Sequence, residues 1–554
     1  NLKETIKDVK PVWQQVRSKI DDAALHLPAG ALEPQYEDRE VKANALILGL
    51  VWQSDIPVNY GILQRWAKTL EDKLGFLPGT DQVEVFGNPQ EEIRVHIRQA
   101  DLAALGVTTQ ELAQQIQASD AKLSAGQLRD SSQDLVFELS NELDSLERIR
   151  TIPIKTANSG QVTRLGDVAH IERAIREPAD NLAFVSGKPA IVVAATVESA
   201  RRVDQWATSA HQLLQEFQTQ LPAGIRIHTI LDQSQYVNRR VNGVMQELFI
   251  GSLLATLVIT VMMGWRSALV VGLASPIACL LVFGWMQVLG VPLHQMSLTG
   301  LIIAIGLLID NAIVMVDEVQ TRLHQGMLPA AAIADSTRRM ALPLASSTLT
   351  TVLAFMPIML QPGSVGEFTG TIGLSGILGL TSSLIISLTV LPALSGLLHR
   401  WGHSLTLPQW AETGVSFPGL NTLYRRSLST ALHRPLLAIA LSLVLPVVGF
   451  AVAPHLSQQF FPPAGRDQFF IDFELPEQTA LAQTQAEVAK ARHFILQHSE
   501  IVDVHWFLGK SAPTFYYNVI GKRENESNYA QGWVQLQSNV LPTSVIQTIQ
   551  TELS

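Results

Sequence analysis

The chain has 554 residues, more than a single hydrophobic core organises, so several domains are expected. Charged residues make up 16% of it while its mean hydropathy is positive, a mixture that points to soluble domains joined to a membrane part rather than to uniform globularity. The formal net charge is −9 with no long Lys/Arg tract, which argues against nucleic acid as a partner, and the single cysteine, Cys279, excludes an intrachain disulfide and a Cys-cluster zinc site.

The chain opens at NLKETIKDVK, polar and helix-like, with no basic-then-apolar leader, and stops at TIQTELS, also helix-like; both ends are expected to continue in something longer. Residues 1–245 are polar with short alternating stretches. VEVFGNPQEEIRVHI alternates like strands around a Gly-Asn-Pro turn. In TTQELAQQIQAS, Thr108 is followed three residues on by Glu111, the capping-box spacing, and a helix start is expected there. Val16–Gly30 and Ala210–Gly224 share a layout: an amphipathic helix, Leu-Pro-Ala-Gly, then a strand-like run. Two readings stand, a common stop signal on unrelated helices or a duplicated α/β unit.

From Leu248 the character changes. Apolar runs follow at 248–265, 268–289, 297–316, 340–360, 370–394 and 436–453. Each is near the roughly 20 residues a helix needs to cross about 30 Å of hydrocarbon, so six transmembrane helices are expected. One set of connections carries Arg266, then Arg322, Arg338 and Arg339, then Arg400, Arg425, Arg426 and Arg434; the opposite short loops carry no Lys or Arg. By the positive-inside rule the Arg-bearing set is cytoplasmic, which puts residues 1–245 and 455–554 together on the other side. The link at 395–435, with Trp401 and Trp410, reads as a cytoplasmic amphipathic connector lying along the membrane. After the sixth span, RDQFFIDFEL alternates like a strand and TALAQTQAEVAKARHFILQH has helical spacing, so a second soluble region begins there.

The third run holds an acid. Asp310 lies 13 residues past Ser297, roughly 20 Å into the span at 1.5 Å per residue. An ionised carboxylate near mid-bilayer costs several kcal/mol unless it is paired, neutralised or hydrated, so an acid at that depth points to function. Lipid opposes its charge and a nearby cation favours it, and a group so balanced can exchange a proton as its surroundings change. The competing reading is a permanently protonated acid or a static hydrogen bond. Asn311 beside it cannot titrate, and reads equally as relay member or as helix-packing glue. The hydroxyls of SSTLTT (Ser346–Thr351) and TSSLIISLT (Thr381–Thr389) suit close helix packing and, alternatively, a water file to Asp310. Asp317 and Glu318 fall at the cytoplasmic end, where solvation is the default. Pro276, Pro343, Pro357 and Pro392 mark kinks or helix ends.

All ten methionines fall between Met245 and Met359, none in the soluble regions, which argues against export of Cu(I) or Ag(I) along a thioether path. His26, His96, His170, His211 and His228 show no close pair along the chain, so no metal site is expected. There is no Gly-x-x-x-x-Gly-Lys-[Ser/Thr], no Gly-x-Ser-x-Gly and no His-Glu-x-x-His, which leaves neither an ATP site nor a hydrolase signature.

GLLIDNAIVMVDEV, with the spans around it, resembles the resistance–nodulation–division (RND) exporters, nearest their hydrophobe/amphiphile multidrug branch. AGQL (Ala125–Leu128), VTRLGDVAHIER (Val162–Arg173), SGKPAI (Ser186–Ile191), LPAGI (Leu221–Ile225), SLTGLIIAIGLLID and FFPP occur in the order that family has them. The resemblance covers essentially the whole chain. It implies a polytopic α-helical membrane protein with α+β periplasmic domains, in which ferredoxin-like porter subdomains accompany a docking subdomain. On that plan 1–89 and 174–245 are porter subdomains, 90–173 the docking subdomain with a short hairpin between Gln127 and Pro153, 246–394 five spans, 395–435 the connector, 436–454 the sixth span, and 455–554 a second-half porter subdomain.

The resemblance further implies a proton-driven antiporter rather than an enzyme, without cofactor, drawing on the proton motive force of the bacterial inner membrane. A homotrimer would work with a periplasmic adaptor protein and an outer-membrane channel to export small amphiphilic molecules. Asp310 falls where the family carries its proton-binding aspartate; Asn311 stands where multidrug members commonly have a second one. The family's lysine partner for this acid would lie beyond residue 554. Phe86 matches a phenylalanine lining the drug pocket, and reads equally as a strand core residue. The alternatives are a membrane scaffold or sensor that does not transport, and an exporter of another class such as metal ions.

Overall fold

The structure is a computed structural model and describes residues 10–24, 26–28, 31, 34, 43–54, 56–119, 122–129, 134–140, 145–156, 162–198, 201–291, 293, 295–401, 414–415, 418–456, 466–516, 521, 523–538, 540 and 542–553. The chain divides into two compact units, one of Asn1–Glu40 with Gln235–Pro462, the other of Val41–Ser234 with Pro463–Ser554. In chain order, α1 (Lys10–Ala24) is followed by β1 (Leu46–Trp52), α2 (Tyr60–Gly75), β2 (Thr80–Phe86) and β3 (Glu91–Ile97). A lobe comes next: α3 (Gln99–Leu105), α4 (Thr109–Ser119), β4 (Lys122–Arg129), β5 (Asp134–Ser140), α5 (Leu146–Arg150), β6 (Pro153–Thr156), β7 (Val162–Arg164) and α6 (Leu165–Val168). The chain returns through β8 (Ala169–Ile175), β9 (Leu182–Val185), β10 (Lys188–Val197), α7 (Val203–Gln220) and β11 (Ile225–Asp232).

The apolar part is α8 (Gln233–Met263), α9 (Trp265–Val288), α10 (Gln295–His324), α11 (Pro329–Met359), α12 (Gly363–Leu388), α13 (Val390–Trp401), α14 (Pro418–His433) and α15 (Pro435–Val452). Then come β12 (Gln468–Glu474), α16 (Leu481–Ile495), β13 (Ile501–Lys510), β14 (Glu524–Leu536) and α17 (Pro542–Leu553). Among the described residues six helical stretches are long and apolar enough to cross a membrane: α8, α9, α10, α11, α12 taken together with α13, and α15. They overrun the apolar runs because their polar ends stay helical; α10, for one, continues through Arg322 to His324. Pro276, Pro343 and Pro357 lie inside helices, while Pro392, which has no N–H to donate, follows the break at Thr389 between α12 and α13. Trp410 and FFPP lie outside the described residues.

The second unit is built on one eight-stranded sheet in the order β11-β1-β10-β9-β13-β14-β12, with β2 also pairing β10. β2 and β3 form around their Gly-Asn-Pro turn but pair elsewhere, β2 with β10 and β3 with β8. Alternation sets the faces. Leu46, Leu48, Leu50, Ile191, Val193, Trp506, Leu508 and Val534 point to one side and share a core with Leu63, Leu70 and Leu74 of α2, Phe217 of α7, Ile495 of α16 and Ile549 of α17. The sheet draws on both soluble stretches, since Phe184 of β9 registers with Trp506 of β13. Both stretches therefore lie on one side of any membrane between them, which requires an even number of crossings; six meets it. The lobe has a small core of its own, Leu102, Leu112, Ile149, Ile152, Ile154, Leu165 and Ile171. Its α4 starts with the capping box: Thr108 N–H donates to Glu111 Oε2 at 2.8 Å and Glu111 N–H to Thr108 Oγ1 at 3.2 Å. Of the two Leu-Pro-Ala-Gly stretches, the second runs from α7 into β11, while most of the segment after the first lies outside the described residues.

Candidate functional site

Asp310 sits halfway along α10. Helical spacing separates two faces of that helix. Leu301, Ala304, Leu308, Ala312, Met315 and Val316 are buried against neighbouring helices, whereas Ile303, Gly306, Asp310, Val314 and Asp317 form a stripe that no described part of the protein covers. The buried face is held closely by α12: a Cβ on Gly379 would come within 2.9 Å of Ala304 Cβ, and Ser383 Oγ donates to Leu308 O at 2.8 Å. Small residues and hydroxyls here serve close helix approach. Asn311, one residue and about 100° around from Asp310, is buried and donates from Nδ2 to Thr348 Oγ1 of α11 at 3.2 Å. Of SSTLTT only Thr348 is buried; Ser346, Thr350 and Thr351 bond to their own helix backbone. Toward the end of α10, Glu318 receives Arg322 at 2.7 Å, and Arg322 also reaches Asp335 of α11. Arg322 thus joins α10 to α11, and Glu318 braces it from its own helix.

In the second unit, the sheet face opposite the helices is aromatic. Phe86 meets Phe507 edge-on at 6.3 Å, and Lys510 Nζ lies 5.0 Å from the centre of the Phe86 ring while pairing with Glu524 at 2.9 Å. Phe470, Phe515 and Trp533 form a second group, Phe515 lying 4.8 Å from each of the other two. The segment after β13 brings Phe515 in: Ala512 N–H donates to Gln531 Oε1 at 2.8 Å, and Asn44 N–H donates to Thr514 O at 3.0 Å. Phe86 and Phe507 are both buried. On the same face Asp472 accepts from Tyr529 Oη at 2.6 Å and from Gln531 Nε2 at 2.8 Å.

The Ser186-Gly187 turn joining β9 to β10 has φ of 52° and 77°, the left-handed pair a two-residue hairpin loop requires. Ser186 N–H donates to His505 Nδ1 at 3.1 Å, and its hydroxyl to Asp503 Oδ2 at 2.5 Å. Asp503 Oδ1 accepts from Arg492 at 2.8 Å and from Val504 N–H at 2.8 Å. The His228 ring lies 5.4 Å from that of His505, so spatial neighbours exist that spacing along the chain concealed. Ligand atoms of His228, Asp503 and His505 come within 4.8 Å of one another, as a metal site would need. The hydrogen bonds oppose that use. With Nδ1 accepting, the neutral His505 ring carries its proton on Nε2, and a metal at Nε2 would turn an Nδ1–H against the Ser186 N–H. Asp503 is also taken up by a guanidinium. We read the trio as a clamp on the turn.

Burial would raise the Asp503 carboxyl, but the Ser186 hydroxyl, the Val504 N–H and Arg492 help outweigh it and hold it below its ordinary value. Burial, helped by His228 and Arg492 and opposed by Asp503, pushes His505 from 6.5 down to about 4. Between those values the unfolded chain binds a proton that the folded chain refuses. The stability neutral His505 contributes is therefore complete above pH 6.5 and lost as pH falls toward 4, by on the order of 3 kcal/mol. Melting of the soluble unit in His505→Gln is expected to depend less on pH across that window than in the parent; equal slopes would refute the assignment.

These features define a multi-pass membrane protein with a mixed helix and sheet soluble unit and an acid at mid-span. Residues 4–528 match the AcrB/AcrD/AcrF family, and the chain belongs to it, within the RND exporters. The multidrug resistance protein MdtC of Pectobacterium atrosepticum is 26% identical over 471 residues, 84% of this chain and 45% of that protein. MdtC of Salmonella newport is 25% identical over 460 residues, covering 82% of this chain and 44% of the relative. MdtC of Escherichia coli O6:H1 is 25% identical over 458 residues, with the same coverage. The chain thus spans about half the length of the curated relatives it matches.

Proposed function

We propose that the chain is part of a proton-driven exporter of amphiphilic compounds in the bacterial inner membrane. Its Arg-bearing connections would be cytoplasmic and its second unit periplasmic. The observation that carries the reading is Asp310: a carboxylate at mid-helix in a membrane-length span, on a face no described part of the protein covers. Lipid alone could not hold it charged at small cost, so that face meets a cation, water or a proton. A basic residue from a further span is the partner the family resemblance supports. Asn311 helps set helix packing, leaving Asp310 as the single titrating group of the relay. Proton exchange there would bias the packing of α10 against its neighbours and move the periplasmic subdomains.

Phe86 with Phe507 supports an aromatic substrate contact, closed in this conformation. By the family's plan residues 90–173 are the docking subdomain, the two soluble stretches contribute porter subdomains, and the assembly is a homotrimer with a periplasmic adaptor and an outer-membrane channel. The test is the full-length protein in liposomes under an imposed pH gradient. Adding an amphiphilic substrate is expected to release protons across the membrane. Substrate binding with no proton flux would overturn the reading and favour a scaffold or sensor.

A further inference from the structure

We propose that His96, His170 and Glu172 form a site for a divalent transition metal of the zinc type, on the stem that carries the lobe. β3 leads into the lobe and β8 leads out, and among the described residues the two pair only with each other. Val95, Ile97 and Ile171 turn to the lobe's core. The opposite face carries Arg94 and His96 on β3 and His170 and Glu172 on β8. His96 and His170 are direct cross-strand partners, so their rings leave the sheet side by side. Glu172, two residues along, stands between them: His96 Nε2 is 3.4 Å from Oε1 and His170 Nε2 is 3.5 Å from Oε2. Two ligand atoms bound to tetrahedral zinc at about 2.0–2.2 Å lie about 3.3–3.5 Å apart. Each imidazole-to-carboxylate spacing is near that separation, but the two rings meet different oxygens of Glu172 and the three ligand atoms do not all lie within 4.8 Å of one another, so the exposed side chains would have to rotate to converge on one ion.

The surroundings permit it. Arg94, the cross-strand partner of Glu172, is held by Glu92 at 3.0 Å, by the Ile175 carbonyl at 2.9 Å and by Glu177 at 3.4 Å. The three side chains are 56%, 75% and 45% exposed, so an aqueous ion reaches them and water can complete its shell. Two imidazoles and a carboxylate suit zinc better than calcium or magnesium, which take oxygen ligands. In contrast to the trio around His505, no backbone N–H among the described residues donates to either ring. A bound ion would tie the entering strand to the leaving one and stiffen the stem, in a two-stranded ribbon that has little stability of its own.

The experiment is zinc(II) titration of the purified full-length protein against a chromophoric chelator, with amide exchange of β3 and β8 followed in parallel. Tight binding of one zinc per chain is expected, weakened at least tenfold in His96→Ala, His170→Ala and Glu172→Gln. Zinc is expected to slow stem exchange in the parent protein only. The substituted side chains are exposed, so the variants should fold. Failure of the parent to bind zinc at micromolar concentration would overturn the proposal. So would undiminished one-to-one binding in the His96→Ala/His170→Ala double variant, or loss of binding in His228→Ala instead. None of these outcomes depends on transport.

Discussion

Cells expressing the full-length protein with Asp310→Asn are expected to be as sensitive to its substrates as cells lacking it, although the variant is made and folded at parental levels. Asparagine keeps the shape and hydrogen-bonding capacity of the acid but neither takes nor gives up a proton. The substitution lies on the uncovered stripe of α10, so the buried face from Leu301 to Val316 keeps its packing. Loss of export would then report the missing proton rather than a damaged helix. Asn311→Ala is the matched control. It removes the bond to Thr348, worth about 0.6 kcal/mol for an interhelical hydrogen bond in a membrane. Export is expected to survive it nearly unchanged; its abolition would show that Asn311 is a relay member. Substrate-susceptibility assays with matched expression decide both.

Trp506→Ala is expected to cost the soluble unit about 3–5 kcal/mol, measured as early loss of its cooperative unfolding step in detergent. Trp506 is 1% exposed and meets Phe473 edge-on at 6.0 Å. Its cross-strand partner is Gly532, where a Cβ would stand only 3.0 Å from the indole. The missing side chain at 532 makes the space the ring fills, so removing the ring leaves a cavity walled by strands that cannot close over it. An unfolding step unchanged within 1 kcal/mol would mean that this side of the sheet is not the core.

Much of the membrane part was legible in the sequence because its signal is one-dimensional. Twenty apolar residues are a span wherever they occur, and Asp310 is conspicuous within one. Local signals held as well: Thr108 and Glu111 meet because a helix brings positions three apart together. The soluble unit was harder for a corresponding reason. Alternation tells which residues share a face but not which strand lies alongside. Ser186 and Gly187 announce a tight turn, yet nothing near them points to Asp503, 317 residues on. Phe86 could be singled out by resemblance, but Phe507 and the Phe470–Phe515–Trp533 group emerge only from pairing. His96 and His170, 74 positions apart, become neighbours only once β3 and β8 are in register.

The pairing of Phe184 with Trp506 also sets a timetable for biogenesis. When β9 leaves the ribosome its eventual neighbour is 322 residues from being made. At about 5–20 residues per second that is roughly 15–60 s during which a hydrophobic strand edge stands open. The growing polypeptide inserts its six apolar helices in the meantime. The sheet can close only after both flanks have reached the same compartment, so an error in inserting any one helix would strand β9 and β13 on opposite sides and leave each half without its complement.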